Sequence, residues 1–392
     1  MKRIFLVIVF LIIVLLIFLY IIFNKNIQGL FSDSNQIRSK SINSQNHQNK
    51  IKTNNVRFSA WIPYWDYTNG LKTLEKNSSV FSEILPVIYE VEKDGSLKIK
   101  NSNFDKLQKF ANDNSIKFIP SIAMFDHELF SEVLNNDENF QKHIDTIISE
   151  IEENNFDGID IDYESTKLDD KDKYEKFIIN LAQKINELEK STNKKITLSI
   201  TVLPKWGPDI IYPSLNETRA VQDWKFLNQY ADQIRIMAYD YTSQYSEKPG
   251  PIAPTNWMEI ILQKAMSEID KDKLIIALPT YGYNWASSDI DESVNFFNNP
   301  PTQELKADAY TYDQIIDIKK EFGGNEYIHP KWDEIVYKYN RGDDKERVLI
   351  YQNTKSIKRK VDVIKEGGIY QISFWRLGGD LYLNYSELKN LN

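Results

Sequence analysis

The stretch "NFDGIDIDYES" (155–165) contains four acids, three of which are spaced two residues apart among apolar residues. In a β-strand, successive side chains point to opposite faces, so residues two apart share a face. One face of such a strand would carry isoleucine and tyrosine, and the other would carry the carboxylates of Asp160, Asp162 and Glu164. The stretch therefore predicts a core strand with three negative charges on a single side.

Similar apolar runs recur along the chain on both sides of this stretch. The runs are "FSAWIPYW" (58–65), "ILPVIYEV" (84–91), "KFIPSIAM" (117–124), "FDGIDIDYE" (156–164), "ITLSITVL" (196–203), "QIRIMAYDY" (233–241), "LIIALPTYG" (274–282) and "GIYQISFWRL" (368–377). Most are separated by segments such as "ENFQKHIDTIISEIEENN" (138–155), in which apolar residues return every three or four positions. Strand then helix, eight times, predicts an α/β protein with a (β/α)8 TIM barrel.

The interval between the seventh and the eighth run is longer than the others. It contains "YTYDQIIDIKKEFGG" (310–324), which is typical of a helix that ends at glycines. An alternating stretch follows, with a turn around Gly342 and Asp343 that is typical of a hairpin. We therefore predict a small α+β insertion over about residues 286–353 that forms one wall of a cleft.

The N-terminal segment has the length and composition of a membrane crossing. Residues 4–23 are twenty consecutive apolar residues, and no run of small residues follows them as in a cleavable signal peptide. We predict a transmembrane anchor, or uncleaved signal, over 1–23, a flexible polar linker over 24–56 and the barrel over 57–392. Two basic residues precede the apolar run, so we expect a single-pass protein of the cell membrane whose catalytic domain is extracytoplasmic.

Composition excludes several kinds of site. The chain has no cysteine, which excludes disulfides, thiolate metal sites and a cysteine nucleophile. Its net charge of −8 argues against nucleic acid as a partner. The histidines are too scattered for a histidine-rich metal cluster: they are His47, His127, His143 and His329.

The three acids predict a reactive site at a strand end. Barrel active sites lie at the carboxyl ends of the strands, and Glu164 is the last of the three. Like charges at this spacing cannot all be ionised cheaply, so at least one pKa should be raised, as a general acid requires near neutral pH. Two alternatives remain open from the residues alone: a Mg²⁺ site made of carboxylate oxygens, and a hydrogen-bonded acidic cluster with a structural role.

The acids also lie in a recognisable motif. "DGIDIDYE" (157–164) resembles the D-G-x-D-x-D-x-E signature of glycoside hydrolase family 18, the chitinase-like barrels. "MAYDY" (237–241), "ALPTYGYNW" (277–285) and "GGIYQISFWRLGGD" (367–380) are similar to the ends of the family's sixth, seventh and eighth strands. The resemblance covers 57–392 and implies a glycosidase that needs no metal or other cofactor.

The resemblance implies a role for each acid. Glu164 would protonate the leaving glycosidic oxygen, Asp162 would orient the substrate's 2-acetamido group, and Asp160 would share the proton of Asp162. Tyr239 and Asp240 would bind the acetamido group.

Further substrate contacts are expected around the same rim. The resemblance implies that Met237 packs beside the acetamido group and that Trp375 forms the floor under the sugar. Other aromatic residues at strand ends could stack on sugar faces: Trp61, Tyr64, Trp65, Tyr281 and Trp285. Ser121 is retained in "SIAMFDHE" (121–128), where typical chitinases have Ser-x-Gly-Gly, and the missing glycines count against a typical chitin groove.

The implied function is a retaining glycoside hydrolase that cleaves β-linked N-acetylglucosaminyl bonds by substrate-assisted catalysis. The eighth-strand end "FWRLGGD" (374–380) and the helix "YTYDQIIDIKKEFGG" (310–324) resemble the branch of the family found in bacterial envelope and spore-associated glycosidases. Together with the anchor, this resemblance favours peptidoglycan or another envelope glycan as the polysaccharide partner, for a protein that we expect to be a monomer. Chitin oligosaccharides are the alternative substrate. A non-catalytic glycan-binding protein is a further alternative, although such proteins usually lack the acid at the position of Glu164.

Overall fold

The structure is a computed structural model that describes residues 55–101, 104–287, 289–290, 302–343 and 345–389. The predicted anchor over 1–23 and nearly all of the predicted linker over 24–56 lie outside these residues. Within the described ranges, no helix combines the length and the hydrophobicity that a membrane crossing requires.

Strands account for the barrel and for a second sheet. In chain order they are β1 (Arg57–Pro63), β2 (Phe81–Val91), β3 (Leu97–Ile99), β4 (Lys117–Phe118), β5 (Ser121–Met124), β6 (Gly158–Tyr163), β7 (Thr197–Val202), β8 (Gln233–Met237), β9 (Leu274–Pro279), β10 (Tyr281–Trp285), β11 (Ala307–Thr311), β12 (Asn325–Ile328), β13 (Ile335–Asn340), β14 (Glu346–Tyr351) and β15 (Gln371–Trp375).

Eight parallel strands close into a barrel in the order β1, β2, β5, β6, β7, β8, β9, β15, and β15 pairs back with β1. The short β4 extends the third barrel position, and β3 adds an antiparallel edge to β2. The predicted TIM barrel is therefore confirmed. Each strand of the sequence pattern occupies its place in chain order, which brings the carboxyl ends of all eight to one rim.

Helices cover the outside of the barrel. They are α1 (Tyr67–Lys76), α2 (Phe104–Asp113), α3 (His127–Asn135), α4 (Asp137–Glu153), α5 (Lys171–Thr192), α6 (Tyr212–Leu215), α7 (Glu217–Val221), α8 (Trp224–Tyr230), α9 (Thr255–Glu268), α10 (Tyr312–Phe322), α11 (Thr354–Glu366) and α12 (Tyr385–Lys389). Helix α4 shows why they form: the Asn136 side chain caps its first turn by accepting from two backbone N–H groups, and buried Phe140, Ile144, Ile147 and Ile151 recur at helical spacing.

The two faces of each barrel strand have different partners. On β7, Leu198 and Ile200 join the apolar layer between strands and helices. Ser199 and Thr201 are equally buried but point into the barrel, where their hydroxyls reach Asp160. The interior is thus a packed polar core, and polar groups there must find partners among themselves.

An α+β unit lies between the seventh and the eighth barrel strand. Five antiparallel strands are ordered β11, β10, β14, β13, β12, and α10 belongs to the same segment. Its sheet begins at Tyr281, five residues before the expected start at 286, because only Thr280 separates β9 from β10. The apolar run "LIIALPTYG" (274–282) therefore contains the end of one sheet and the beginning of another, without a break in composition.

His143 connects α4 to the outer face of β6. Its Nδ1 lies 2.9 Å from the Gly95 carbonyl, which can only accept, so Nδ1 carries the proton and Nε2 accepts from the Tyr163 hydroxyl. The imidazole also stacks on Phe177. Burial lowers the pKa of His143 to about 4, so the ring is neutral in the folded protein near pH 7.

We expect His143→Gln to weaken the pH dependence of stability. Between pH 6.5 and 4, the unfolded chain protonates this histidine and the folded chain does not, so the wild type loses about 3 kcal/mol of stability at this site as the pH falls from 7 to 4. Glutamine can donate to Gly95 and accept from Tyr163 without titrating. Urea unfolding at both pH values measures the difference, and equal losses in the two proteins would contradict the assignment.

Candidate active site

Strand β6 places the three acids at the centre of the barrel and at its rim. Its apolar parity packs outward against the helices, so the acidic parity faces inward. Asp160 and Asp162 are buried, whereas Glu164 lies just beyond the end of the strand and is partly exposed. These three residues, called here the acid stack, thus run from the core to the mouth of the barrel.

Asp160 is surrounded by hydrogen-bond donors. Its Oδ2 accepts from Ser121 Oγ at 2.7 Å and from Trp61 Nε1 at 3.3 Å. Its Oδ1 accepts from Ser199 Oγ at 2.6 Å, and the Thr201 hydroxyl reaches both oxygens at 3.0 and 3.1 Å. Donors from β1, β5 and β7 converge on this carboxylate. Such a set suits an ionised carboxylate, which can only accept.

Asp162 has a different environment from its neighbour. It is 4% exposed, and its buried Oδ1 has no hydrogen-bond partner. Burial, together with the nearby charges of Glu164 and Asp160, raises the pKa of Asp162 well above its usual range. A carboxyl group in this position can hold a proton and still offers an oxygen to an incoming donor.

Glu164 is positioned by the edge of the barrel. Its backbone N–H donates to the Met124 carbonyl at 2.9 Å, which extends the pairing of β6 with β5 by one residue. Desolvation at the barrel mouth and the negative charge of Asp240 raise the pKa of Glu164 to about 7. A large fraction of molecules therefore holds the acid form near neutral pH, as a general acid requires.

Asp240 is held in place by the inserted sheet. The residue follows β8 with a φ of 57°, in the left-handed region that aspartate tolerates better than most residues. Its Oδ1 accepts from the hydroxyls of Tyr281 and Tyr283, the latter at 2.8 Å. Both tyrosines lie on β10, so the first strand of the insertion fixes the charge that acts on Glu164.

Aromatic and apolar side chains border the acids. Met237 and Tyr239 are nearly buried and belong to one cluster with Trp61, against which the partly exposed Trp375 packs. Trp375 meets Trp61 edge-on with ring centroids 6.0 Å apart, and Tyr239 meets Tyr281 edge-on at 6.3 Å. The predicted contacts on β8, β10 and β15 are thus brought together in one rim.

Tyr64 and Trp65 lie at the end of β1. They line an open groove of about 480 Å³ together with Asp66 and Lys106. Trp65 is 58% exposed, and its ring lies 6.5 Å from that of Trp375. The groove does not include the acid stack, but the contact between these two tryptophans links it to the rim.

Three side chains expected at the substrate surface are buried instead. Ser121 is fully buried and donates to Asp160, so its predicted substrate contact is corrected to a role beneath the site. Trp61 and Trp285 are each 1% exposed, so neither can stack on a sugar. The indole N–H groups explain their positions, because Trp61 donates to Asp160 and Trp285 donates to the Ser246 carbonyl.

Sequence reasoning missed several polar groups that support the acids: Ser199, Thr201, Arg235 and Tyr283. The alternation of polar and apolar residues in "ITLSITVL" (196–203) places Ser199 and Thr201 on one face of the strand, but it does not indicate which acid they reach. Arg235 could have been recognised from the sequence, because it is a charged residue in the apolar run "QIRIM" (233–237) and lies on the same face of that strand as Met237. A charge inside a core strand indicates a buried partner.

The magnesium alternative fits this geometry poorly. Four donor groups already occupy the two oxygens of Asp160. Among the residues that the structure describes, no group of three or more histidine, cysteine, aspartate or glutamate side chains is arranged to hold a metal ion. The acid stack therefore matches proton transfer better than cation binding.

Comparison with known sequences gives the following matches. The family described as Glycosyl hydrolases family 18 matches residues 17–380. YvbX of Bacillus subtilis, an uncharacterized glycosylase, is 24% identical over 80% of this chain and 87% of its own length. The cortical fragment-lytic enzyme of Bacillus anthracis is 23% identical over 74% of this chain, and the match spans 63% of that enzyme. Sporulation-specific chitinase 2 of Saccharomyces cerevisiae is 26% identical over 72% of this chain and 58% of its own length.

Comparison of folds gives a related result. The spore cortex-lytic enzyme SleL of Bacillus megaterium superposes with a TM-score of 0.73 at 22% identity, over 89% of this chain and 76% of SleL. At this identity the likeness concerns the fold.

Proposed function

The chain belongs to glycosyl hydrolase family 18 and is a glycosidase, and from this premise we propose that it cleaves β-linked N-acetylglucosaminyl bonds with retention of configuration. The observation that carries the proposal is the graded environment of the acid stack. Asp160 is saturated with donors, Asp162 has a buried oxygen without a partner, and Glu164 has a pKa of about 7 at the rim. Neighbouring carboxyl groups with such different environments suit different roles in one reaction.

In the first step, the Glu164 carboxylic acid donates its proton to the glycosidic oxygen as the bond from C1 to that oxygen breaks. The carbonyl oxygen of the substrate's own acetamido group bonds to C1 on the opposite side, which forms an oxazolinium ion in place of an enzyme-bound sugar. Glu164, now a carboxylate, removes a proton from a water molecule that attacks C1, and the bond from C1 to the acetamido oxygen breaks, which restores the acetamido group and the acid form of Glu164. Two inversions at C1 give net retention.

Asp162 would act on the acetamido group during this step. An N–H hydrogen bond to its unpartnered Oδ1 would orient the acetamide for attack, and the one negative charge that Asp162 and Asp160 share would offset the positive charge of the oxazolinium ion. The donors around Asp160 hold that neighbour as an acceptor, so a proton between the two acids would reside on Asp162.

The substrate that we favour is peptidoglycan or another envelope glycan. Support comes from relatives named as cortical fragment-lytic enzymes and from the apolar segment at residues 4–23. A chitin oligosaccharide is the second candidate, supported by the similarity to a yeast chitinase. Both contain the N-acetyl group that the mechanism needs.

The experiment that tests the proposal offers the full-length protein, in detergent, two substrates in parallel: a chromogenic chitobioside and purified peptidoglycan, with products analysed by mass spectrometry. We expect peptidoglycan fragments with N-acetylglucosamine at the new reducing end and little release from the chitobioside. A matched glucoside, which lacks the acetamido group, should not be cleaved. Cleavage of the chitobioside alone would favour the chitinase alternative, and equal cleavage of the glucoside would contradict substrate assistance.

The location of the enzyme is part of the proposal. The twenty apolar residues at 4–23 would anchor a monomeric chain in the cell membrane, with the barrel outside the cytoplasm. The polar residues that follow would keep the barrel close to the membrane, within reach of the inner layers of an envelope glycan. Fractionation of membranes tests this placement.

A further inference from the structure

Arg235 lies inside the barrel, below the acid stack and out of contact with solvent. The residue is 0% exposed, and its guanidinium donates to side chains from three other strands and its own. Nη2 donates to Glu83 Oε2 at 2.7 Å and to Gln233 Oε1 at 2.5 Å, while Nη1 donates to Ser59 Oγ at 2.6 Å. The remaining donor, Nε, points to Ser199 Oγ at 2.9 Å.

The contact with Ser199 determines which way its hydroxyl points. An arginine N–H can only donate, so Ser199 Oγ must accept from it, and the single hydroxyl hydrogen is left for another partner. That partner is Asp160 Oδ1, at 2.6 Å. Arg235 therefore reaches Asp160 through one hydroxyl group, as a fixed chain of two hydrogen bonds that both run toward the carboxylate.

From this chain, we propose that Arg235 is a positioning residue that acts through Ser199 to hold Asp160 as a pure acceptor and so keeps the proton of the acid stack on Asp162. The inference rests on the proposed function. Arg235 is buried below the rim, and its cation–π contact with the buried Trp61, 5.9 Å from Cζ to the ring centroid, also leads to Asp160, because the Trp61 indole N–H donates to that carboxylate. Its effect on turnover therefore passes through Asp160. Because an arginine keeps its proton under all ordinary conditions, the direction of the chain does not change during a reaction cycle.

The charged and titratable groups around Asp160 are few. Asp162 is on the same strand as Asp160, Arg235 comes from β8, and Glu83 comes from β2 behind the arginine. Tyr174 of α5 lies in the apolar layer outside the barrel and interacts with both acids only electrostatically. Although burial opposes it, pairing with Arg235 lowers the pKa of Glu83, so this pair stays ionised. The ion pair fixes the arginine, and the arginine fixes the serine.

The alternative is an ion pair that only stabilises the barrel. Removing one partner of a buried pair destabilises a protein strongly, so loss of activity alone cannot distinguish the two roles. A double-mutant cycle between Arg235→Lys and Ser199→Ala distinguishes the two roles. Lysine retains the positive charge opposite Glu83, but it lacks the Nε–H group that donates to Ser199. Ser82→Ala is the matched control, since Ser82 is a part-buried serine on β2 that donates to the Phe58 carbonyl.

We expect each single variant to lower kcat about tenfold on whichever of the two test substrates, peptidoglycan or the chitobioside, the wild type cleaves, which is the size typical of one hydrogen bond to a charged group, with KM nearly unchanged. The double variant should be no slower than either single variant. The acidic limb of the kcat/KM profile should move to higher pH in all three, because a carboxylate that loses a hydrogen-bond donor binds a proton more tightly. Multiplied losses in the double variant, or unaltered pH limbs, would overturn the proposal.

A second pair of measurements separates this inference from the proposed function. If Arg235→Lys does not fold, the combination of Arg235→Met and Glu83→Gln, which removes both charges of the pair, takes the place of Arg235→Lys in the double-mutant cycle. Infrared titration of the protonated carboxyl band, assigned with Asp162→Asn, needs no turnover. The band should remain in Ser82→Ala and change in Ser199→Ala. An unchanged band in Ser199→Ala refutes the positioning role even if the wild type proves inactive on both peptidoglycan and the chitobioside.

Discussion

Replacing Glu164 with glutamine should lower kcat by about a thousandfold on any substrate that the wild type cleaves. An amide has nearly the same shape as the carboxylic acid but cannot donate a proton to the leaving oxygen. The same residue is then missing as the base that activates water, so both steps slow down. Steady-state rates on peptidoglycan and on a chitobioside measure the loss.

Although Glu164→Gln should lower kcat, it should not lower the stability of the folded protein near neutral pH. The pKa of Glu164 is raised to about 7 in the folded protein, so the folded state binds more protons than the unfolded state between about pH 4.5 and 7. Its carboxyl group therefore favours folding at low pH and disfavours folding once the pH rises through 7. Glutamine removes that penalty, and Glu164→Gln should melt no lower than the wild type at pH 8.

The control is Glu152→Gln, the same substitution at an exposed position of α4, which should alter neither property. The pH profile supplies a second check. Activity should fall as the pH rises through about 7, because Glu164 must be protonated, and Asp240→Asn should move this limb to lower pH by removing a nearby negative charge. A basic limb that is unaffected by Asp240→Asn would contradict the assignment of Glu164 as the acid.

Local periodicity was sufficient to predict the barrel and the acid stack. Each barrel strand has its own apolar run, and the alternation in "GIDIDY" (158–163) decides which face carries the acids. These are properties of neighbouring residues, and the pleat of one strand expresses them directly. The insertion could be anticipated for a similar reason, since its hairpin and its glycine-terminated helix leave local signals.

The partners of the acids could not be predicted in this way. The Trp61 indole reaches Asp160 across 99 positions of sequence, and Arg235 pairs with Glu83 across 152. Such contacts depend on closure of the barrel and on which layer each inward side chain occupies. An aromatic residue at a strand end can therefore be a buried donor, as Trp61 is, or an exposed surface, as Trp65 is, with similar local sequence.

Asp162→Asn is the second variant with a large expected effect, a loss of about a hundredfold in kcat. Asparagine can still accept a hydrogen bond from the acetamido N–H through its carbonyl oxygen. It cannot share a proton and a negative charge with Asp160 to offset the oxazolinium ion, and its amide hydrogens compete for acceptors. The loss should appear in kcat more than in KM, because the missing charge matters most in the transition state.

A comparison with Asp160→Asn makes this prediction specific, because the two carboxyl groups differ in their partners. Asp162 is buried with an unpartnered oxygen and a raised pKa, so a neutral amide there should leave the melting temperature unchanged or higher. Asp160 accepts from four donors. Three are hydroxyl groups, which could turn to accept from an amide, but the indole N–H of Trp61 can only donate, so an amide nitrogen at Asp160 should cost about 1–3 kcal/mol of stability. Activity and thermal unfolding measured on both variants should thus separate: both lose turnover, and only Asp160→Asn loses stability. Equal destabilisation by the two substitutions would favour a purely structural acidic cluster, because a structural role gives no reason for the two sites to differ.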